Sequence, residues 1–266
     1  MTAHRPRKRF GQHFLVDPSV IDNIIELIAP APGETIIEIG PGEGVLTENL
    51  LARGANLLAI EIDRDLAAKL DDRYGREKNF RLVNADVLRV DFHSLIAPGV
   101  AHVVGNLPYN ISTPLLVQLF GYLDDIARMT FMLQREVVER MCGQPGSSNF
   151  GRLSILTQTH CLASKVFEVP PDAFSPPPKV DSAVVTLEPL QAQLSPSVKQ
   201  KLGELTQAAF SQRRKKIKTG LKSLFSITEI AAQDIDPDVR PDTLGIDEFV
   251  RLAHYLCQRS EGNDTG

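Results

Sequence analysis

Five short apolar runs, TIIEIG (35–40), NLLAIEID (56–63), FRLVNAD (80–86), AHVVGNLP (101–108) and MTFMLQ (129–134), alternate with segments of helical spacing. Each run is apolar along nearly its whole length, so both faces of each strand must be covered. That requirement points to a parallel sheet with helices on either side. DSAVVTLEP (181–189) reads as a late strand, the antiparallel edge of a mixed sheet. Ahead of the first run, Asp17-Pro18 followed by Val20, Ile21, Ile24, Ile25 and Ile28 supplies a cap, a proline at the first helical position and an apolar face.

PLQAQLSPS (189–197) reads as a linker, and beyond it the pattern is helical only. Phe210, Ile217, Leu221, Leu224 and Phe225 fall on one stripe, with cations between them, which predicts a basic helix across this stretch. The expected organisation is a domain over 1–188 with a basic N-terminal arm, then a small helical domain over 189–266.

No run of 18 apolar residues occurs, and the basic start MTAHRPRKRFGQHF has no apolar segment behind it. The expectation is a soluble, cytoplasmic protein with no membrane partner. Cys142, Cys161 and Cys257 form neither a disulfide framework nor a zinc spacing, so no metal is expected. The net charge of −4 argues against wholesale coating of nucleic acid. Its distribution argues otherwise. Residues 1–16 carry Arg5, Arg7, Lys8 and Arg9 without an acid, and residues 205–228 carry Arg213, Arg214, Lys215, Lys216, Lys218 and Lys222 without one. Pooled positive charge attracts phosphate even on an acidic protein, although a solvated face would look the same.

Ligands of open α/β sheets bind beyond the carboxyl ends of the strands. The first such end is Glu38-Ile39-Gly40-Pro41-Gly42-Glu43-Gly44. It differs from the dinucleotide fingerprint, and the acid within the loop suits a pyrophosphate poorly, so a ligand without phosphate fits better. The second end is Glu61-Ile62-Asp63, where an acid commonly takes ribose hydroxyls. The third is Asn84-Ala85-Asp86, where a carboxylate can accept from an adenine amino group. The fourth is Asn106-Leu107-Pro108-Tyr109. Each acid alone could cap a helix; together they describe a site for an adenosine-containing ligand.

These residues resemble the class I S-adenosylmethionine-dependent methyltransferases and, more narrowly, the bacterial small-subunit (16S) ribosomal RNA adenine N6,N6-dimethyltransferase family. The resemblance covers nearly the whole chain. It is carried by RFGQHFL (9–15), EIGPGEGVLT (38–47), EID (61–63), NAD (84–86), NLPYNIS (106–112), FSPPPKVDSAVV (174–185), FSQRRKKIK (210–218) and RPDTLGIDEFVRLA (240–253). It implies a Rossmann-like fold with a mostly parallel seven-stranded sheet and a small helical C-terminal domain. It also implies S-adenosylmethionine as cofactor, held by His13, Leu15, Gly40, Glu61, Asp86 and Asn106, with Gly42, Ile62 and Val87 beside them. Members often carry Asn where this chain has His13; both can hydrogen-bond the cofactor's carboxylate end.

The implied reaction is methyl transfer to N6 of two adjacent adenosines near the 3′ end of small-subunit rRNA, within an immature small subunit, by a monomer. An adenine amino nitrogen is a poor nucleophile because its lone pair is delocalised. Acceptors against its N–H groups free that pair: the Asn106 side-chain carbonyl and the Leu107 backbone carbonyl, aimed by Pro108. Tyr109 offers a stacking platform worth about 1–3 kcal/mol. No histidine is needed as base, and His102 reads as structural. Phe174 is either a second aromatic contact or a core residue. The cations at 7–9 and 213–222 would hold RNA phosphates. Two other readings remain open: a large-subunit rRNA adenine N6-methyltransferase of the macrolide-resistance type, and an assembly factor acting mainly by binding.

Overall fold

The computed structural model describes residues 12–96, 101–108 and 111–263, the last three by backbone alone. Tyr109, Arg7, Lys8 and Arg9 lie outside the described residues.

Contacts divide the chain into two units, Met1–Val138 with Ser164–Pro189, and Glu139–Ala163 with Leu190–Gly266. The second unit therefore reaches back beyond the expected boundary at 188/189. The reason is packing: Phe150 and Ile155 sit in one buried cluster with Val198, Leu202, Leu205 and Phe249. Among the described residues no helix is long and apolar enough to cross a membrane.

The first unit begins with β1 (Phe14–Leu15) and α1 (Pro18–Ile28). The Asp17 carboxylate caps α1 by accepting from the Ser19 amide at 2.8 Å. Then follow β2 (Thr35–Ile39), α2 (Val45–Ala52), β3 (Asn56–Glu61), α3 (Arg64–Tyr74), β4 (Phe80–Asn84), β5 (Ala101–Asn106), α4 (Ser112–Leu119) and β6 (Ile126–Gln134). After α5 (Arg135–Met141) and α6 (Arg152–Gln158) come β7 (Cys161–Val169), β8 (Phe174–Ser175) and β9 (Ser182–Pro189). The seven-stranded sheet runs β4-β3-β2-β5-β6-β9-β7. The pairs β2–β3, β3–β4, β2–β5 and β5–β6 are parallel and β6–β9 is antiparallel. The expected α/β class and mostly parallel sheet are thus observed.

All six expected strands form. β9 is antiparallel, as expected, but interior; the edge is β7, which sequence reading missed. CLASKVFEV carries no apolar run because Leu162 and Val166 point into solvent at 59% and 43% exposure. A separate two-stranded ladder joins β1 to β8, pairing Phe14 with Ser175 and Leu15 with Phe174.

The second unit contains α6, α7 (Pro196–Ser211), α8 (Ile217–Gly220), α9 (Ile227–Ala231) and α10 (Ile246–Asn263). The basic helix expected across 210–225 is interrupted. α7 stops at Ser211, Gln212 adopts φ −126°, ψ 48°, and α8 starts only after Lys216. Four consecutive cations, Arg213 to Lys216, would crowd like charge onto one helical turn. Ile217 and Leu221 remain fully buried, so the apolar stripe survives the break.

Candidate active site

Strand order reverses between β2 and β5, since β3 and β4 lie to one side and β6 to the other. Such a switch point leaves a crevice beyond the carboxyl ends of the strands. A cavity occupies that place here, and the glycine loop after β2 and the ends of β3, β4 and β5 line it. Two glycines make this geometry available. A Cβ at Gly105 would stand 2.5 Å from the Ile39 carbonyl oxygen, so only glycine lets β5 lie so close to β2. Gly42 has φ +59°, and a Cβ there would meet Phe14 Cδ1 at 3.1 Å.

Glu61 ends β3, is 4% exposed, and lines the cavity. Its carboxylate accepts from the Gly42 amide at 3.1 Å and the Asp63 amide at 2.8 Å. A carboxylate has about four acceptor positions, so it retains capacity for further donors. Burial pushes its pKa up, opposed by those backbone hydrogen bonds. Glu38 is more extreme: it is fully buried, and burial raises it to about 7 although the Thr47 hydroxyl donates to it at 2.6 Å. Asp86 lines the cavity and also accepts from the Leu88 amide at 3.1 Å, so it both caps a turn and faces the site. Ile62 and Val87 supply apolar wall.

At the end of β5, the Asn106 side-chain amide donates to the His13 carbonyl oxygen at 3.0 Å. Its NH2 group is engaged there, and its Oδ1 acceptor is a distinct resource. The Leu107 amide donates to the Met132 carbonyl at 3.1 Å, and Pro108 accepts from the Ile111 amide at 3.1 Å. These bonds fix the turn. Asn106, Leu107 and Pro108 all line the cavity.

The cavity brings together His13, Leu15, Gly40, Gly42, Glu61, Ile62, Asp86, Val87, Asn106, Leu107 and Pro108 from the expected set. The His13 ring Nδ1 lies 2.7 Å from the Pro176 carbonyl oxygen. Phe174 stands elsewhere. It is 4% exposed, packs in the core cluster with Leu15, Val20 and Ala173, and is not among the lining residues. Of its two readings the structure supports the core one. His102 is buried, and burial together with Arg128 holds it down at about 3, so it stays neutral and structural. Among the lining residues outside the expected set are Gln12 and Phe14. Gln12 donates to Asp63 Oδ2 at 3.2 Å. Both lie within the RFGQHFL segment, which was the available signal.

The acid-free window at 205–228 is not acid-free in space. Lys216 and Lys218 reach Asp238 Oδ1 at 3.0 and 2.6 Å, and Arg213 Nε lies 3.6 Å from Asp242. Arg214, Lys215 and Lys222 are exposed.

A family model described as ribosomal RNA adenine dimethylase matches residues 3–258. The chain belongs to the ribosomal RNA adenine dimethylase family. It is 49% identical to the Pseudomonas aeruginosa protein named ribosomal RNA small subunit methyltransferase A, over 96% of both chains. It is 46% identical to the protein of the same name from Idiomarina loihiensis, over 99% of this chain and 93% of that one. Among solved structures it is similar to a dimethyladenosine transferase from Plasmodium falciparum, with a TM-score of 0.81 and 25% identity over 93% and 98% of the two chains. It is also similar to the 23S rRNA methyltransferase ErmE, with a TM-score of 0.70 and 26% identity over 92% and 100%.

Membership makes the chain an enzyme that methylates adenine in ribosomal RNA with S-adenosylmethionine. The residues present suit that cofactor. An adenosine needs acceptors for two ribose hydroxyls, an acceptor for its amino group, and an apolar slot for its ring. Glu61, Asp86 and the pair Ile62 and Val87 have those chemistries, and Gly42, at positive φ, adds no side chain of its own to the loop.

Proposed function

We propose that this dimethylase acts on two adjacent adenosines near the 3′ end of small-subunit rRNA, in an immature subunit, as a cytoplasmic monomer. The names of the relatives at 46% and 49% identity support the small subunit as target. In the proposed assignment, Glu61 takes the ribose hydroxyls, Asp86 the adenine amino group, and Ile62 and Val87 the ring. Gly40, Gly42, His13 and Leu15 frame the amino-acid end. The bound cofactor supplies a methyl group already activated on a sulfonium. The protein's own task is therefore positioning.

Asn106 and Leu107 do that for the target base. The observation that carries this reading is the bond from the Asn106 amide to the His13 carbonyl. It orients the side chain so that Oδ1, an acceptor, is the atom left for substrate. Oδ1 and the Leu107 carbonyl draw on the two N–H groups of adenine N6 and expose its lone pair. Pro108 holds the turn, and Tyr109 supplies the stacking face. A base taken from folded RNA must leave its stack to reach such a site. Arg7, Lys8 and Arg9, with Arg214, Lys215 and Lys222, hold phosphates; Arg213, Lys216 and Lys218 act beside their acidic partners.

The test is Asn106→Ala with undermethylated small subunits and labelled cofactor. Loss of one preorganised hydrogen-bonding group should lower kcat by about 10²–10³-fold, with subunit binding within threefold of wild type. Equal loss of binding and transfer would refute the role. The likeness to ErmE makes large-subunit RNA the rival substrate. N6-dimethyladenosine formed on naked large-subunit RNA, and not on small subunits, would decide for it.

A further inference from the structure

A second cavity lies wholly within the second unit. Its volume is about 370 Å3, inside the range of about 300–1,000 Å3 common for small-ligand sites. Arg140, Arg152 and Arg213 line it together with the amides of Asn149 and Gln207, and none of the lining residues is acidic. Its apolar part is aromatic. Phe150 is fully buried, while Phe210 is half-buried and stands edge-on to it at 6.3 Å. Phe249 stacks on Phe210 at 5.8 Å and holds that ring in place.

The wall of this cavity is braced. Arg213 donates to the Ser148 carbonyl at 2.7 Å and lies near Asp242, whose own backbone carbonyl takes the Gly146 amide at 2.7 Å. Arg213 is thereby tied to the 146–148 loop, and Arg140 and Arg152 are exposed residues lining the same cavity. Gly151 adds room. Its φ of −177° suits any residue, and a Cβ there would meet only the Phe210 ring, at 4.0 Å. Cationic lining, amide donors and a fixed aromatic ring are the set that binds one unstacked nucleotide, with phosphate on guanidinium and base on the ring.

We infer that this cavity is a nucleotide subsite for a single-stranded segment of the RNA substrate, with Arg140 and Arg152 on the phosphate and Phe210 under the base. Arg213 is a positioning residue for its wall. The inference rests on the reading that ribosomal RNA is the substrate, and it adds an RNA contact outside the methyl-transfer cavity.

The experiment measures the affinity of undermethylated small subunits for wild type, Arg140→Gln/Arg152→Gln and Gly151→Leu across a salt series. Binding of S-adenosylhomocysteine checks the integrity of each variant. The double variant should bind about tenfold more weakly and lower the slope of log affinity against log salt by about 0.7, for one single-strand phosphate contact. Gly151→Leu fills the space over Phe210, so it should cost about tenfold with the slope unchanged. Both variants binding within twofold of wild type would overturn the subsite while leaving the substrate assignment intact. A loss confined to the double variant would overturn the stacked base. Wild type that binds cofactor but not the subunits would overturn the substrate assignment, and this subsite with it.

Discussion

Replacing Glu38 by Gln should change how stability depends on pH, and the size of the change follows from the site. The Glu38 carboxyl is fully buried at the end of β2, beside the charge of Glu61. Burial is the main reason it titrates at about 7, against 4.5 for an ordinary glutamate. Below about pH 4.5 it is neutral in folded and unfolded chains alike. As pH rises from 4.5 to 7, the unfolded chain ionises first. The folded state then holds the extra proton, so stability falls through that window. The gap amounts to about 3 kcal/mol lost in full above pH 7. A glutamine keeps a carbonyl oxygen for the Thr47 hydroxyl and has no charge to bury. Urea unfolding from pH 4.5 to 8 should show the variant gaining on wild type as pH rises, reaching about 3 kcal/mol at pH 8. Parallel curves for the two proteins would refute the claim that Glu38 ionises against its surroundings.

Two further substitutions probe the same cavity. Gly42→Ala places a Cβ at positive φ, which costs about 1–2 kcal/mol for an L-residue, and drives it against Phe14. Calorimetric titration should show S-adenosylhomocysteine binding weakened about tenfold or more, and unchanged affinity would deny that the loop must stay bare. Phe174→Leu, at a core position, should lower stability by about 1 kcal/mol and leave the KM for small subunits within threefold. A tenfold rise in KM at nearly unchanged stability would restore Phe174 as a contact to the target base.

The sequence revealed the parts of the site whose causes are local. β2, β3 and β5 are buried on both faces, so each appears as an apolar run, and the residue that ends each run falls at the crevice. That is why Glu61 and Asn106 are legible together in the sequence, while Asp86 follows the half-exposed edge strand β4 and is marked by the NAD segment instead. Gln12 and Phe14 reach the cavity by another route. Phe14 is held by a two-residue ladder to the Phe174–Ser175 strand and Gln12 by its bond to Asp63, both far along the chain, and no local pattern encodes those pairings. β7 was hidden for the opposite reason: most of CLASKVFEV is exposed or half-exposed, so it carries no apolar run.

Charge shows the same division between local and distant causes. The window from 205 to 228 contains no acid, yet Asp238 and Asp242 fold back onto Lys216, Lys218 and Arg213. Exposed ion pairs of this kind contribute only about 0–1 kcal/mol to stability, so they are weak anchors for the fold. They do, however, redistribute the field. Positive charge at 213–222 is concentrated on Arg214, Lys215 and Lys222, while Arg140 and Arg152 add cations from a segment that sequence reading had assigned to the other unit. A run of basic letters therefore overstated one patch and missed a neighbour. Phosphate binding depends on which guanidinium and ammonium groups share a surface, and that is settled by the tertiary contacts of Phe150 and Ile155 rather than by spacing along the chain.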